Sequence, residues 1–133
     1  MRQELEHLLF KKYPKIFKQK DLPCNQTCMC WGIATRDGWF GLIDALCHDI
    51  QAYIDKNNIS QVEAFQVKEK FGGLRFYVEG GDEYTDKLIH KACILSYTIC
   101  EKCGSTENVV QTNTGWIYTL CQKCREKLII NED

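Results

Sequence analysis

The pairs Cys100-Glu-Lys-Cys103 and Cys121-Gln-Lys-Cys124, with 17 residues between them, constrain this chain more than any other feature. Two thiolates separated by two residues can grip one tetrahedral ion while the backbone turns beneath them. A second such pair across a short connection completes a four-sulfur shell. The spacing therefore predicts zinc held by Cys100, Cys103, Cys121 and Cys124. A closed shell leaves no position for water, which argues for a structural metal and against metal-ion catalysis at this site. Such a metal replaces the core that a short polar segment cannot build. Lys102, Lys123 and Arg125 lie beside the ligands in sequence and would soften the charge of a zinc tetrathiolate, or bind phosphate.

A chain of 133 residues suits one compact unit, expected as a body over residues 1–98 and a zinc knuckle over 99–133 packed onto it. The start Met1-Arg-Gln-Glu has no apolar leader, and no stretch approaches the roughly 18 apolar residues of a membrane span. A cytoplasmic protein is expected. Nine cysteines are an odd number, and four belong to the zinc pattern, so reduced thiols are expected for the rest. The formal charge of −1 becomes about −3 once four thiolates and one zinc ion are counted. That balance gives no global attraction to nucleic acid. Residues 1–20 carry six Lys/Arg against Glu4 and Glu6, a basic end best read as a solvated helix face.

Apolar spacing predicts a first helix over residues 2–12, ended by Tyr13-Pro14, because proline disfavours helical geometry in the residue before it. Lys20 to Arg36 lacks periodicity and reads as a loop. The main core helix is expected from Gly38 to Asn57, with Phe40, Ile43, Cys47, Ile50 and Ile54 inward and Asp37 as N-cap. A hairpin follows, Val62–Phe71 and Leu74–Glu79, turning at Gly72-Gly73. That turn would face Phe71 with Leu74 and Lys70 with Arg75, and would bury Phe65, Val67, Phe71, Leu74, Phe76 and Val78. A third helix is expected from Thr85 to Ile99, running into Cys100. A short hairpin around Asn113-Thr114-Gly115, using Val109-Val110 and Trp116–Tyr118, would deliver Cys121 to a last helix through Ile130. The expected fold class is α+β: a small antiparallel sheet packed on helices, with a C-terminal treble-clef or ribbon-like zinc knuckle.

Other constellations point less far. Cys24, Cys28 and Cys30, with Cys47 and His48 downstream, contain a chemically allowed second metal set, but their spacing forms no standard knuckle. Cys47 and His48 are neighbours on a helix and point apart, while His90 and Cys93 share a face among apolar positions, so neither pair reads as a nucleophile and its base. No histidine is followed two residues later by glutamate, which excludes a zinc nucleobase deaminase. No histidine follows His90, which excludes a nuclease built on a histidine-rich knuckle. The outer hairpin face groups Lys68, Lys70, Arg75 and Tyr77, an inventory suited to a phosphate or carboxylate and equally to a solvated strand. Arg75 is the expected contact, with Lys70 and Tyr77 in support. Trp31 and Trp39 flank Asp37-Gly38, where they can form a stacking wall, although Trp39 suits the core better.

Gly38-Trp-Phe40 through Leu46-Cys47, Val67 through Tyr77 with its run Phe71-Gly-Gly-Leu-Arg-Phe-Tyr77, Thr98 to Gly104, and Trp116 to Cys124 together resemble a family of small uncharacterised proteins of bacteriophages and prophages. The resemblance covers roughly residues 35–125. It implies expression inside bacteria and an accessory role for the phage. The zinc segment alone is similar to the finger of the DksA/TraR regulators of RNA polymerase in its 17-residue gap, the helix entering the first knuckle and Gly104 after Cys103. Those regulators carry acidic residues at the tip of a long helical hairpin, whereas a β-hairpin and one short helix precede the finger here. The expected function is thus a non-catalytic, zinc-containing phage accessory protein that binds a host protein or sequesters an anionic small molecule, in a counter-defence role. Transcriptional regulation or nucleic-acid binding is the alternative.

Overall fold

Helix α2, Phe40–Asn57, turns Ile43, Leu46, Cys47, Ile50 and Ile54 to one side, and these residues are the spine of the core in this computed structural model. The structure describes residues 1–113 and 115–132. Five short elements precede α2. Helix α1, Gln3–Lys12, ends at Tyr13, as the following proline requires. Residues 13–32 form turns that include two short 3-10 segments, Lys18–Asp21 and Met29–Trp31, and strand β1 is the dipeptide Ile33–Ala34. Asp37 does not cap α2. Residues Asp37–Trp39 form a separate 3-10 turn, Trp39 occupies the cap position, and Asp37 Oδ1 accepts the Arg2 amide at 2.7 Å. The reason is tertiary: the Gly38 amide donates to the Glu101 carbonyl at 2.9 Å, which fixes the entry to the helix.

Strands β2, Glu63–Lys70, and β3, Gly73–Glu79, pair antiparallel, while β1 joins the outer edge of β2 in parallel, giving a mixed sheet of order β1-β2-β3. The hairpin turns at Phe71-Gly72, one residue earlier than expected. Lys70 therefore faces Gly73, Lys68 faces Arg75, Val67 faces Phe76 and Gln66 faces Tyr77, with a bulge between Ala64 and Gln66. Val67, Leu74 and Phe76 remain buried, as the strand pattern requires, but Phe71 leaves the core for solvent. Moving the turn by one residue shifts cross-strand partners by two, which keeps the same residues on the inner face near the turn, and the bulge then brings Ala64 inside opposite Val78.

Helix α3, Glu83–Ser96, opens with a reciprocal capping box between Asp82 and Thr85 and packs against α2 and β3. It stops three residues short of its expected end. Ser96 is buried, and its Oγ accepts the Leu74 amide at 2.9 Å, satisfying a donor on the free edge of β3. Ile94 and Leu95 are exposed. Strands β4, Val110–Gln111, and β5, Thr119–Leu120, form a two-stranded hairpin ahead of α4, Gln122–Glu132. Trp116–Tyr118 lie outside the ladder, tied instead by Thr112, which exchanges hydrogen bonds with Tyr118 and donates to the Trp116 carbonyl. Thr114, in the expected turn, lies outside the described residues. The whole is α+β with a C-terminal four-cysteine cluster that fits a zinc knuckle. Knuckle, hairpin and helix succeed one another in the treble-clef order, with Cys124 in the first turn of α4 rather than on a second hairpin. Among the described residues, no helix is long and apolar enough to cross a membrane.

Candidate metal centre and the seam beside it

Cys100 follows the last turn after α3, Cys103 closes a tight bend, Cys121 leaves β5 and Cys124 begins α4. Their sulfurs all lie within 4.8 Å of one another, so the four could hold one metal ion. The bend is set by the Gly104 amide donating to Cys100 O at 2.9 Å and the Cys100 amide donating to Ser105 O at 2.8 Å. Cys100, Cys121 and Cys124 are buried, whereas Cys103 faces outward. Burial raises the Cys100 thiol, but amides of Cys121, Cys103 and Lys102 directed at it draw it down to about 7. Cys124 is pushed up to about 12, by burial first and then by the three neighbouring thiols. A divalent cation removes that conflict, because it binds the deprotonated form of all four.

The knuckle is seated on the body through two glycines. A Cβ at Gly38 would stand 2.1 Å from the Cys100 carbonyl oxygen, so only glycine permits this contact. A Cβ at Gly72 would meet Thr119 Oγ1 at 2.9 Å and the Ile117 side chain at 3.2 Å. Thr119 also donates its hydroxyl to the Gly72 carbonyl. The Trp39 indole donates to Ile99 O at 2.9 Å. Trp39 is thus a core residue and no stacking wall, while Trp31 is exposed. Glu101, only 2% exposed, accepts the Thr119 amide at 3.0 Å and stands 3.8 Å from Arg36, whose guanidinium lies 4.7 Å over the Tyr118 ring. Burial raises its carboxyl, and the Thr119 amide works against that rise. No sequence pattern marks Glu101 as an interior residue; its place between two of the clustered cysteines is the signal the sequence offers.

The expected anion site is divided by the observed register. Lys70, Arg75 and Tyr77 share the outer face, but Arg75 lies across from Lys68, so Lys70 is not its cross-strand neighbour. Arg75 is half-buried beneath Tyr97, donating to Leu74 O at 3.1 Å and to Tyr97 Oη at 3.5 Å. Tyr77 is exposed opposite Gln66. Lys70 instead sits at a cleft of about 340 Å³ between the hairpin turn and the knuckle, with Lys68, Phe71 and Trp116. Sequence reasoning missed Phe71 and Trp116 as surface residues. The available signal was the dipeptide Phe71-Gly72, which serves as a two-residue turn once cross-strand partners shift by two residues.

Cys24 and Cys30 form a disulfide across a turn begun at Pro23, with Cα atoms 5.3 Å apart, and Cys28 stays unpaired. The expectation of reduced thiols fails for this pair, and two of the three sulfurs of a second metal set are spent. The loop has independent anchors: the Thr27 hydroxyl bridges Gln19 Oε1 at 2.8 Å and Phe65 O at 3.2 Å. Cys47 is buried while His48 is exposed against Asp49, so these neighbours do face apart. Comparison with known protein families, curated proteins and solved structures finds no match for this chain.

Proposed function

We propose that this protein is a non-catalytic binding protein whose four cysteines hold one structural zinc ion. The observation that carries the reading is the four-sulfur cluster, three of its members buried and all four within 4.8 Å, locked to the body at Gly38 and Gly72. Four thiolates at this separation suit tetrahedral zinc, and a shell completed by them offers no position to a substrate. The metal then serves to hold the β4–β5 connection against the sheet, where it walls a cleft rather than entering chemistry.

The sequence words shared with small bacteriophage proteins support an accessory role in the bacterial cytoplasm, blunting host defence by taking up a host protein or an anionic small molecule. The cleft beside Lys68 and Lys70 favours the small anion. The Cys24–Cys30 disulfide argues for a more oxidising setting. Cytoplasmic work requires that this pair be reduced in cells and that the Thr27 anchors hold its loop. The test is recovery of the tagged protein from infected bacteria, with identification of both macromolecules and metabolites that accompany it. A defined small anion or host protein in fixed proportion is expected. Recovery of nucleic acid alone, released by modest salt, would overturn the reading.

A further inference from the structure

The turn that joins β2 to β3 contains a residue its geometry does not favour. Phe71 and Gly72 have φ values of 54° and 79°, the pattern of a type I′ turn, in which asparagine, aspartate or glycine is favoured at the first position. A bulky L-residue there crowds its own carbonyl. Phe71 gains no core contact in exchange, being 65% exposed with Lys70 Nζ 5.6 Å from its ring centroid. Folding alone does not explain a phenylalanine at this position. A strained residue with a presented side chain is where a functional explanation begins.

A second exposed aromatic lines the same cleft from the other side of the seam. Trp116, 69% exposed, comes from the knuckle, and Ile117 beside it packs on Gly72. The Thr119 hydroxyl bond to Gly72 joins the two elements that carry the cleft residues. The two rings therefore stand on elements fixed to each other. Lys68 and Lys70, two residues apart on one strand, share the outer face about 7 Å apart. Glu69 is the acidic residue of the lining, and its carboxylate is engaged by the Gly72 amide at 2.7 Å. Strand β1 ends opposite Lys68, so among the described residues the outer edge of β2 beyond it has no strand neighbour and offers backbone groups to a ligand.

We propose that this cleft binds a nucleoside monophosphate, its base stacked against Phe71 and Trp116 and its phosphate held by Lys68 and Lys70. The proposal rests on the binding-protein reading above and gives that reading a ligand class. Each part of the chemistry is required: bare phosphate makes no use of two presented rings, and an apolar peptide makes no use of two lysines. The cavity of about 340 Å³ lies at the small end of ligand sites and suits one nucleotide rather than a strand. The formal charge of −1 likewise gives a polyphosphate chain no general attraction.

Isothermal titration of the full-length metal-loaded protein with the four nucleoside monophosphates, adenosine, ribose 5-phosphate, inorganic phosphate and a single-stranded octanucleotide tests this. At least one monophosphate should bind at least tenfold more tightly than inorganic phosphate or ribose 5-phosphate. Phe71→Gly, which suits the turn better and so keeps the fold, should weaken that binding at least tenfold, as should Trp116→Ala at its exposed site. Lys68→Ala with Lys70→Ala should weaken monophosphate binding and leave adenosine unchanged. Equal affinity for inorganic phosphate, no monophosphate binding at millimolar concentration, or indifference to Phe71→Gly and Trp116→Ala would each overturn the proposal. An octanucleotide bound a hundredfold more tightly than any monophosphate would replace it with strand binding. Conversion of the bound monophosphate to product, seen by chromatography of the titrated sample, would leave the site standing and refute the non-catalytic reading instead.

Discussion

The body buries Trp39, Ile43, Ile50, Val67, Leu74 and Phe76 in one continuous apolar cluster, whereas the knuckle has Leu120 among Cys100, Cys121 and Cys124, with Val109, Tyr118 and Leu128 partly buried against them. The first region holds itself together by area removed from water. The second cannot, because its sulfurs occupy the positions where aliphatic side chains would pack, and its two strands are dipeptides. On the proposed reading, metal coordination by the four clustered cysteines supplies the order there. The seam couples the two, since Gly38, Trp39 and Gly72 of the body take their partners from residues 99, 100, 101, 117 and 119. Two kinds of cohesion thus meet along a few hydrogen bonds and two glycines, and each can be attacked separately.

The largest effect should come from Cys103→Ser or from chelation. Removing one ligand should abolish metal retention and destabilise the knuckle on the order of 5 kcal/mol. Hydrogen exchange should then show β4, β5 and α4 losing protection, while amides of α2 and β2 keep theirs. Simultaneous loss in both regions would erase the distinction between them. Next in size is Gly38→Ala, where the added carbon meets the Cys100 carbonyl at 2.1 Å. Displacing that backbone should cost about 3 kcal/mol in denaturant unfolding, and a cost near zero would show that the seam is looser than described.

Phe71→Gly should act in the opposite direction. Relief of the left-handed backbone, offset by the greater freedom of unfolded glycine, should raise stability by about 0.5–1 kcal/mol. A loss of stability would mean that Phe71 contributes packing after all. A comparably small effect belongs to the body alone. Asp44 is held below its ordinary value of 3.8 by hydrogen bonds from Lys12 and then Tyr13, with Lys12 Nζ at 2.8 Å and Tyr13 Oη at 2.6 Å. A carboxyl depressed in the folded state contributes stability above its unfolded pKa and loses it as pH falls through the folded one. Asp44→Asn should therefore cost about 1 kcal/mol near neutral pH, with the difference from the parent vanishing in acid. A difference that grew in acid would reverse the assignment.

How much of this was legible in the sequence differs between the same two regions. The clustered cysteines are local pairs whose spacing carries their geometry, so Cys100, Cys103, Cys121 and Cys124 could be named without a fold. The core face of α2 was equally plain, because a 3.6-residue period survives changes of neighbour. The hairpin turn was not. Phe71-Gly72 and Gly72-Gly73 are both possible two-residue loops, and the apolar alternation fits either, because moving the turn by one residue shifts cross-strand partners by two and leaves each residue on its face. The anion site at Lys70, Arg75 and Tyr77 inherited that error: Arg75 lies under Tyr97, and Lys70 belongs to a different neighbourhood. The cap at Asp37 and the interior position of Glu101 were set by contacts across the seam, from Gly38 and Arg36 to Glu101, and the early end of α3 by the bond between Ser96 and Leu74 of β3. Such contacts leave no periodic trace in the chain.

The central claim is that one metal, bound by four cysteines, closes the knuckle and seats it on the body. Elemental analysis of protein purified without added metal tests it most directly. The account predicts about one equivalent of zinc per chain, lost together with knuckle order in Cys103→Ser. A value near two would require ligands beyond those four. A fully ordered knuckle with no metal bound would contradict the claim outright.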